Sequence, residues 1–306
     1  MYHRIADNPA DFFNLSVSPA RFEEQLQVLR QTRYPLPLID FVRNLMAGTL
    51  PSNAVALTFD DGYVDNLVAG KPRLAAADVA ATVFLITGFI DGSKPFLSDE
   101  LARLFLLEKG PQHFALMVGG ELMHFDFGSE SPAGSDAGIP AGSVTRRREG
   151  LNKMAQALKA LAYEERELVM DELRSIFAGS DYRASLGRAM TRNEVRELVA
   201  DGLVTIGAHT VTHPMLTGIE AAACHREISD SRRACESIID APVKGFAYPF
   251  GDFDAKAREA VKTAGFTFAC STKHGPAFTT SDILALPRIH VSNWDGDAFE
   301  RALRSA

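Results

Sequence analysis

Cysteine is scarce in this 306-residue sequence, which contains three. Cys224 and Cys235 are predicted to share one helix, where eleven residues at about 1.5 Å rise each separate them by about 16 Å. A disulfide needs Cα atoms within roughly 7 Å of each other, so these two thiols cannot pair. Cys270 lies in an apolar, strand-like run. A disulfide framework is therefore excluded, and unpaired thiols are typical of a reducing compartment.

Long apolar runs and an excess of basic residues are also missing. No stretch approaches the roughly 18 apolar residues of a membrane span, and the first residues lack the pattern of a signal peptide. We therefore expect no transmembrane segment and a cytoplasmic location, or an extracytoplasmic one if the sequence begins inside a longer chain. With 32 basic against 39 acidic residues, the net charge of −7 argues against a nucleic-acid binder.

The remaining composition is that of an ordinary globular protein. Hydrophobic residues make up 46% and charged residues 23% of the chain, which excludes collagen-like and disordered classes. A chain of 306 residues buries enough apolar surface to fold without disulfides or a structural metal. Because α/β barrels of this size commonly form one unit, we predict a single domain over residues 1–306.

Short apolar runs alternate with amphipathic helices in two parts of the chain. Repeated strand–helix units without an antiparallel block predict an α/β fold with parallel strands, either an open sheet or a barrel. The predicted strands are 54–59, 81–86, 203–206, 245–248 and 266–270. Two helix starts carry the signature of a capping box, a Thr with a Glu three residues later. These pairs are Thr191 with Glu194 and Thr217 with Glu220.

The stretch 91–190 interrupts this alternation. Alternating patterns on either side of Gly119-Gly120 predict a hairpin, and helices are predicted at 98–108, 145–161 and 163–178. Residues 128–144 are rich in Gly, Ser, Ala and Pro and are expected to form a mobile loop. We interpret 91–190 as an inserted helical and hairpin subdomain, or cap, within the single domain.

Two adjacent carboxylates stand directly after the first buried strand. Asp60 and Asp61 lie between Phe59 and Gly62, where the strand gives way to a tight turn. Two carboxylates this close repel each other unless a cation or a proton offsets their charge. An ordinary Asx turn with one solvated acid is equally compatible with the dipeptide alone.

Two histidines four residues apart follow another predicted strand. His209 and His213 can direct both rings to one point, as in known zinc sites, or can form a hydrogen-bonded pair in a loop. Because the acids and the histidines both follow parallel strands, both are expected on one face of the sheet. One Asp with two His gives three ligands and leaves positions for water and substrate, as hydrolytic metal catalysis requires.

A third feature, Tyr248-Pro249-Phe250-Gly251, stands where the strand at 245–248 ends. It is compatible with a turn that only packs on the core. On the same face as the histidines, it can instead wall a sugar pocket and offer a backbone N–H to an oxyanion.

Together these motifs resemble the polysaccharide deacetylase family, the chitin-deacetylase-like, metal-dependent N-deacetylases. The opening Tyr2-His3-Arg4 and the run ATVFLITGFI at 81–90 resemble the bacterial branch that acts on cell-surface or extracellular polysaccharides. The resemblance implies a deformed, incomplete (β/α) barrel with a divalent ion, usually zinc, at the carboxyl ends of the strands. The matching segments are TFDDG at 58–62, HTVTHP at 209–214 and YPFG at 248–251.

The resemblance also implies roles for individual residues. Asp60 matches the family's catalytic base and Asp61 its metal-binding aspartate, while His209 and His213 match its two metal histidines. A Zn²⁺ or other divalent transition-metal ion would lower the pKa of its bound water, and Asp60 would take the proton of that water. The ion and the backbone N–H near Phe250 would stabilise the tetrahedral oxyanion.

The sequence motifs identify the acid that protonates the departing amine less clearly than the base and the metal ligands. The family's last motif is a late hydrophobic–His element, and 286–291 is the comparable stretch, which makes His290 the candidate. His274 and His3 are its rivals.

The third motif departs from the family pattern in two places. Ala247 stands where an arginine commonly orients the base aspartate, and Phe250 stands where tyrosine is usual. Asp60 must then find another cationic partner or do without one. Arg288, which is expected near the same barrel end, is the candidate base-orienting residue.

We therefore expect a hydrolase that removes N-acetyl groups from amino sugars of a polysaccharide or glycan precursor. Two alternatives stay open. The same site serves an O-acetyl esterase or another C–N amide hydrolase, and a non-catalytic, metal-stabilised glycan-binding protein would keep the ligands. The presence of Asp60 favours an enzyme, because a binder needs the ligand set but no additional acid beside it.

Overall fold

The computed structural model describes residues 1–8, 11–92, 95–108, 110–128, 141–177 and 187–305, without the side chains of 141–144. The chain forms two compact units. The first contains Met1–Asn8, Asn14–Lys94 and Gly187–Ala306, and the second contains Pro9–Phe13 and Pro95–Leu186. That the second unit is a cap within a single domain stays a prediction.

Strands and helices alternate along most of the first unit, and a hairpin with helices makes up the second. The strands are β1 (Arg4–Ile5), β2 (Ser16–Val17), β3 (Tyr34–Pro35), β4 (Ala54–Val55), β5 (Leu57–Phe59), β6 (Ala81–Leu85), β7 (His113–Val118), β8 (Glu121–Asp126), β9 (Val204–Ala208), β10 (Gly245–Ala247) and β11 (Phe268–Cys270). The helices are α1 (Pro19–Thr32), α2 (Leu38–Ala47), α3 (Lys71–Ala77), α4 (Leu97–Leu106), α5 (Ala141–Lys159), α6 (Tyr163–Ile176), α7 (Arg192–Val199), α8 (Ala221–Ile239), α9 (Ala255–Thr263) and α10 (Gly296–Ser305).

Five parallel strands form the central sheet of the first unit, in the order β11-β10-β9-β6-β5. Every residue of β5 and β6 is buried, as expected for strands covered on both faces. The predicted parallel α/β arrangement is confirmed. The predicted strand at 54–59 is divided at Ala56, however, because β4 pairs with β3 instead of joining the central sheet.

The sheet forms an incomplete barrel, because its edge strands β5 and β11 do not pair with each other. Residues 1–3 lie beside β5, where Tyr2 and Phe59 form a parallel bridge. On the other edge, Leu286 forms a parallel bridge to Cys270 of β11, and the N–H of Val291 donates to the carbonyl of Met1. Irregular segments therefore lie in the gap between the edges, and they bring His3 and Arg288 to it.

Helix α1 shows how the core of this unit is built. Ser18 caps the helix by accepting a hydrogen bond from the N–H of Arg21. Its apolar face buries Phe22, Leu26 and Leu29, at the spacing of one helical stripe. These side chains belong to the same apolar cluster as the strand residues of β5, β6 and β9.

The two predicted capping boxes have different outcomes. Thr191 and Glu194 form the reciprocal box at the start of α7, which confirms that prediction. The second prediction is wrong, because α8 begins only at Ala221 and its start has no side-chain cap. The N–H and hydroxyl of Thr217 instead donate to the carboxylate of Asp252, a competing acceptor from a later loop.

In the second unit, β7 and β8 pair antiparallel as the predicted hairpin. Gly119 and Gly120 both have positive φ angles of 58° and 83°, the conformation of a type I′ turn. Most of the expected mobile loop, residues 129–140, lies outside the described residues. Helix α5 begins at Ala141, four residues earlier than predicted.

Across the described part of the chain, no helix has the length and apolar character needed to cross a membrane. All three cysteines are buried and reduced, and Cys224 and Cys235 lie on α8 as predicted.

Candidate metal centre

The paired acids lie in a tight turn at the carboxyl end of β5. Asp61 has a φ of 74° and Gly62 a φ of 86°. The left-handed conformation costs an ordinary residue about 1–2 kcal/mol, although Asp tolerates it better than most. At Gly62 an added Cβ would lie 2.6 Å from Cδ2 of Leu85. The turn therefore requires glycine at 62. It also points the side chains of Asp60 and Asp61 in different directions.

His209 begins the loop that follows β9, and its ring is fixed by the neighbouring strand. Its Nδ1 lies 2.7 Å from the carbonyl oxygen of Ala247 at the end of β10. Because a carbonyl only accepts hydrogen bonds, Nδ1 carries the proton and Nε2 is left for a metal. Burial lowers the pKa of His209, against an opposing effect of Asp60. The imidazole is therefore neutral at pH 7, the form that binds metal ions.

The loop from His209 to His213 is tightly wound. Thr210 and His213 both have positive φ, 65° and 58°. The hydroxyl of Thr210 donates to the carbonyl of His209 and accepts from the N–H of His213. This hydroxyl links the backbones of the two histidines and brings their rings into contact, with centroids 4.7 Å apart.

Asp61, His209 and His213 form a three-ligand cluster. The two Nε2 atoms are 3.1 Å apart, and they lie 3.6 and 3.7 Å from Oδ1 of Asp61. Ligands at 2.0–2.1 Å from one tetrahedral zinc ion stand about 3.4 Å from each other. The donor atoms therefore fit a single divalent ion with at least one open position, and two imidazoles with one carboxylate suit zinc among other transition metals.

Asp60 is buried beside this cluster and pairs with Arg288. Nη1 and Nη2 of Arg288 each donate to one carboxylate oxygen of Asp60, both at 2.7 Å. Burial by itself would raise the pKa of Asp60, but the charge and hydrogen bonds of Arg288 together with the charges of His209 and His3 outweigh it and hold that pKa well below the usual range. Asp60 is therefore ionised throughout the neutral range.

The contacts of Arg288 show how Asp60 obtains a guanidinium partner although residue 247 is alanine. The guanidinium donates to the carbonyl of Ser271 and the hydroxyl of Thr58, and it lies over the ring of Phe84. Ala247 is fully buried and belongs to an apolar cluster that also contains Phe84. The small side chain of Ala247 therefore packs within an apolar cluster. The guanidinium beside Asp60 is that of Arg288, which lies in the segment between the barrel edges.

His3 lies near this pair, because the carbonyl of the preceding residue, Tyr2, accepts a hydrogen bond from the N–H of Asp60 at 3.0 Å. Burial lowers the pKa of His3 to about 3, while the nearby Asp60 carboxylate acts in the opposite direction. Its Nδ1 is buried and has no hydrogen-bond partner among the described residues. The side-chain amide of Asn66 donates to the carbonyl of His3, and Asp65 accepts from the N–H of Ile5. The backbone on both sides of His3 is thus fixed.

His290 and His274 are placed differently. His290 lies with its ring centroid 5.7 Å from that of His3, and its Nε2 contacts the carbonyl of Asn14 at 3.0 Å. His274 is exposed in the loop after β11. The catalytic role of His290 stays a prediction.

The segment at 248–251 borders the cluster at one residue. Phe250 packs edge-on against the ring of His213, with centroids 4.5 Å apart, and has a φ of 57°. Pro249 is buried, and at Gly251 an added Cβ would collide with Oγ1 of Thr272. Tyr248 is fully buried and donates its hydroxyl to the carbonyl of Leu284, so its side chain is used by the core. A substrate or oxyanion role of this segment stays a prediction.

Part of the chain is similar in sequence to a curated protein. The chain is 25% identical over 117 residues to "Putative polysaccharide deacetylase YxkH" of Bacillus subtilis (strain 168), which covers 38% of this chain and 42% of that protein. The chain thus matches less than half the length of this curated relative.

Several solved structures resemble nearly the whole chain, and two of them are described here. The Streptococcus pyogenes deacetylase PplD in complex with acetate has a TM-score of 0.63 and 19% identity, covering 99% of this chain and 95% of that chain. IcaB from Ammonifex degensii has a TM-score of 0.60 and 16% identity, covering 99% and 93%. At these identities the likeness concerns the fold, and the predicted incomplete (β/α) barrel is confirmed.

The family itself is established by a match over the sequence. A family model described as polysaccharide deacetylase matches residues 47–112 and 177–269, which together are more than half of the chain. Both aspartates, both histidines and the segment at 248–251 lie within the matched residues. The chain belongs to the polysaccharide deacetylase family.

Proposed function

We propose that this protein is a metal-dependent hydrolase that removes N-acetyl groups from amino sugars of a polysaccharide or glycan precursor. The observation that carries the proposal is the buried Asp60 beside the cluster of Asp61, His209 and His213, whose donor atoms converge within 3.1–3.7 Å. The cation that we propose for this cluster is zinc or another divalent transition metal.

A divalent ion bound by these ligands would supply a Lewis acid that polarises an acyl carbonyl and lowers the pKa of water. Asp61 is the anionic member of the ligand set, and the two histidines bind through Nε2. The carbonyl of Ala247 keeps the proton of His209 on Nδ1, which holds the ring in the tautomer that coordination requires.

Asp60 is the group that we propose as the general base. Each of its oxygens accepts one hydrogen bond from Arg288, whereas a carboxylate has about four acceptor positions in all. Acceptor capacity thus remains for the proton of a water. Since Arg288 holds the pKa of Asp60 low, the contribution of this base comes from its fixed position more than from its basicity.

The leaving nitrogen needs a proton, because an amide nitrogen departs poorly as an anion. We propose His3 as the first candidate for the acid and keep His290 as the second. The electrostatic proximity of His3 to Asp60 and His209 supports this order. Burial keeps His3 neutral in the unliganded protein, whereas the Asp60 carboxylate favours the charged form. To act as the acid, His3 must therefore gain a proton during the reaction before it donates one.

The Asp60–Arg288 pair supports an enzyme over a glycan-binding protein. Burying two charges costs several kcal/mol per ion before their attraction is counted, and binding a sugar through a metal needs neither charge. The cytoplasmic location and the absence of a nucleic-acid partner stay predictions.

Acetate release tests the proposal. Wild-type protein is assayed on chito-oligomers and poly-N-acetylglucosamine, after chelation and again after reloading with Zn²⁺, with an O-acetylated sugar as the competing substrate. We expect acetate from the N-acetylated substrates, lost on chelation and restored by metal. Release from the ester alone would favour the esterase alternative, and metal binding without release from any substrate would favour the binding protein.

A further inference from the structure

Neighbouring segments bind the loop that carries His209 and His213 by hydrogen bonds, in addition to the hydroxyl of Thr210 within the loop. On one side, the segment after β6 binds its carbonyl groups. The N–H of Thr87 donates to the carbonyl of Thr210 at 3.1 Å, and the N–H of Gly88 donates to that of Val211 at 2.9 Å. An added Cβ at Gly88 would lie 2.6 Å from the Val211 oxygen, so this close approach depends on glycine.

On the other side, one carboxylate from α8 binds the N–H groups of the same peptides. Oε2 of Glu227 accepts from the N–H of Val211 at 2.8 Å and from that of Thr212 at 2.9 Å. Its Oε1 accepts from the hydroxyl of Thr212 at 2.7 Å. Hydrogen bonds to an ionised acceptor are roughly twice as strong as neutral ones. Glu227 therefore satisfies two backbone donors and one hydroxyl that lie between the metal-binding histidines.

The helix that presents this carboxylate is itself fixed in the core. Cys224 and Ile228, on either side of Glu227 along α8, are fully buried. Glu227 is consequently anchored to the barrel wall, and the 211–212 peptides are clamped between it and the 87–88 segment. A loop with positive φ at Thr210 and His213 persists only when its surroundings hold it in place.

We propose that Glu227 is a positioning residue of the metal centre. Its carboxylate holds the 211–212 peptides so that His209 and His213 present their Nε2 atoms to one ion. Glu227 does not contact the ligand atoms, and its effect reaches them through the loop. The inference rests on the proposed function in that it requires a cation at Asp61, His209 and His213.

The test compares Glu227→Gln with Glu236→Gln. Glutamine keeps the shape of Glu227 but removes its charge. The two backbone N–H groups therefore lose a charged acceptor, and the Thr212 hydroxyl keeps its contact only by accepting from the NH₂ group. Glu236 lies on the same helix, and its Oε1 likewise accepts a backbone N–H, that of Val243 at 3.1 Å. The same Oε1 accepts from Nε of Arg232 at 3.0 Å, so the hydrogen bonds that Glu236 makes with described residues lie outside the histidine loop, and it is a matched control for loss of a charge from α8.

The measurement is the Kd for Zn²⁺ and for Co²⁺, obtained by competition with a chromophoric chelator at one fixed pH. The Tm of each metal-free protein and the absorption spectrum of each Co²⁺ form are recorded alongside. For Glu227→Gln we expect metal binding weakened about 10- to 100-fold, as for other residues that support metal ligands from outside. The Co²⁺ spectrum should change as well, whereas Glu236→Gln should keep the wild-type Kd and spectrum.

Wild-type Kd in a folded Glu227→Gln protein would overturn the inference, as would an equal weakening in Glu236→Gln. If Glu227→Gln does not fold, Glu227→Asp takes its place. Its shorter carboxylate should also weaken metal binding, and an unchanged Kd would overturn the inference in the same way. Wild-type protein that binds the ion tightly but releases no acetate would instead refute the proposed function and leave the role of Glu227 standing.

Discussion

Arg288 donates two parallel hydrogen bonds of 2.7 Å to the carboxylate of Asp60, across 228 residues of sequence. Both side chains are almost fully buried. The contact joins the end of β5 to a segment that lies in the gap between the barrel edges. Asp60 thus has a guanidinium partner, from a different part of the fold than the position of Ala247, where the family resemblance implied an arginine.

Replacing Arg288 by Met should lower kcat and leave the metal in place. Asp60 would lose the two hydrogen bonds that orient it, and a positioned general base contributes about 10²–10⁴-fold, so we expect a loss of about 10²-fold. Steady-state acetate release gives kcat, and elemental analysis of the same sample gives the metal content. Unchanged kcat would remove Arg288 from the site.

Stability must be followed in parallel, because removing one partner of a buried ion pair costs about 3–5 kcal/mol. Denaturant unfolding of Arg288→Met should show a loss of this size. In the double variant Asp60→Asn/Arg288→Met, which leaves no unpaired charge, we expect part of this free energy of unfolding to be regained.

The pH profile should reveal the same contact. Asp60 acts as a base only when ionised, and in the wild type Arg288 holds its pKa below the ordinary 3.8. Any acid limb due to Asp60 therefore lies below pH 4. Without Arg288, burial alone raises the pKa, so the acid limb of kcat/KM in Arg288→Met should move to higher pH.

A matched arginine serves as the control for this profile. Arg258 also forms a two-point pair with a carboxylate, Asp282, but on the surface. Arg258→Met should keep the wild-type profile in excess metal. Identical profiles for wild type and Arg288→Met would contradict the role that we give to the buried pair.

The proposed metal ligands can be tested by alanine substitution, with a histidine outside the cluster as the control. His209→Ala or His213→Ala removes one of three ligands, so bound zinc should fall well below one ion per chain and acetate release should vanish. His225 is exposed on α8, and His225→Ala should retain both. Full zinc content in His209→Ala would mean that the ion binds elsewhere.

The two candidate acids are separated by paired variants. If His3 protonates the leaving nitrogen, His3→Asn should lower kcat by about 10²-fold with metal content unchanged, and His290→Asn should remain close to wild type. The opposite order, measured by acetate release under saturating substrate, would assign the acid to His290.

The convergence of Asp61, His209 and His213 was predictable from the sequence because its signals are local. Asp61 and the histidines each follow a buried strand, and the carboxyl ends of parallel strands meet at one edge. His3 could not be placed with the same certainty, since its position depends on residues 1–3 lying beside β5. No periodic pattern in three residues indicates such a contact.

Two other residues show how tertiary contacts override local signals. Thr217 has the pattern of a helix cap, but Asp252 accepts its hydrogen bonds, and the helix begins later. Glu227 has the pattern of an ordinary polar residue on an amphipathic helix. Its contacts with 211–212 follow from the packing of α8 on β9, which the helix sequence does not encode by itself.

The most direct test of the account is Asp60→Asn, assayed for bound metal and for acetate release in the same preparation. Asparagine keeps the size of the side chain but cannot take a proton from water, and Asp60 is not a metal ligand in this arrangement. We predict one ion per chain, as in the wild type, and a loss of turnover of about 10²–10⁴-fold. Wild-type turnover in Asp60→Asn would contradict the central claim that this buried acid acts beside a bound ion.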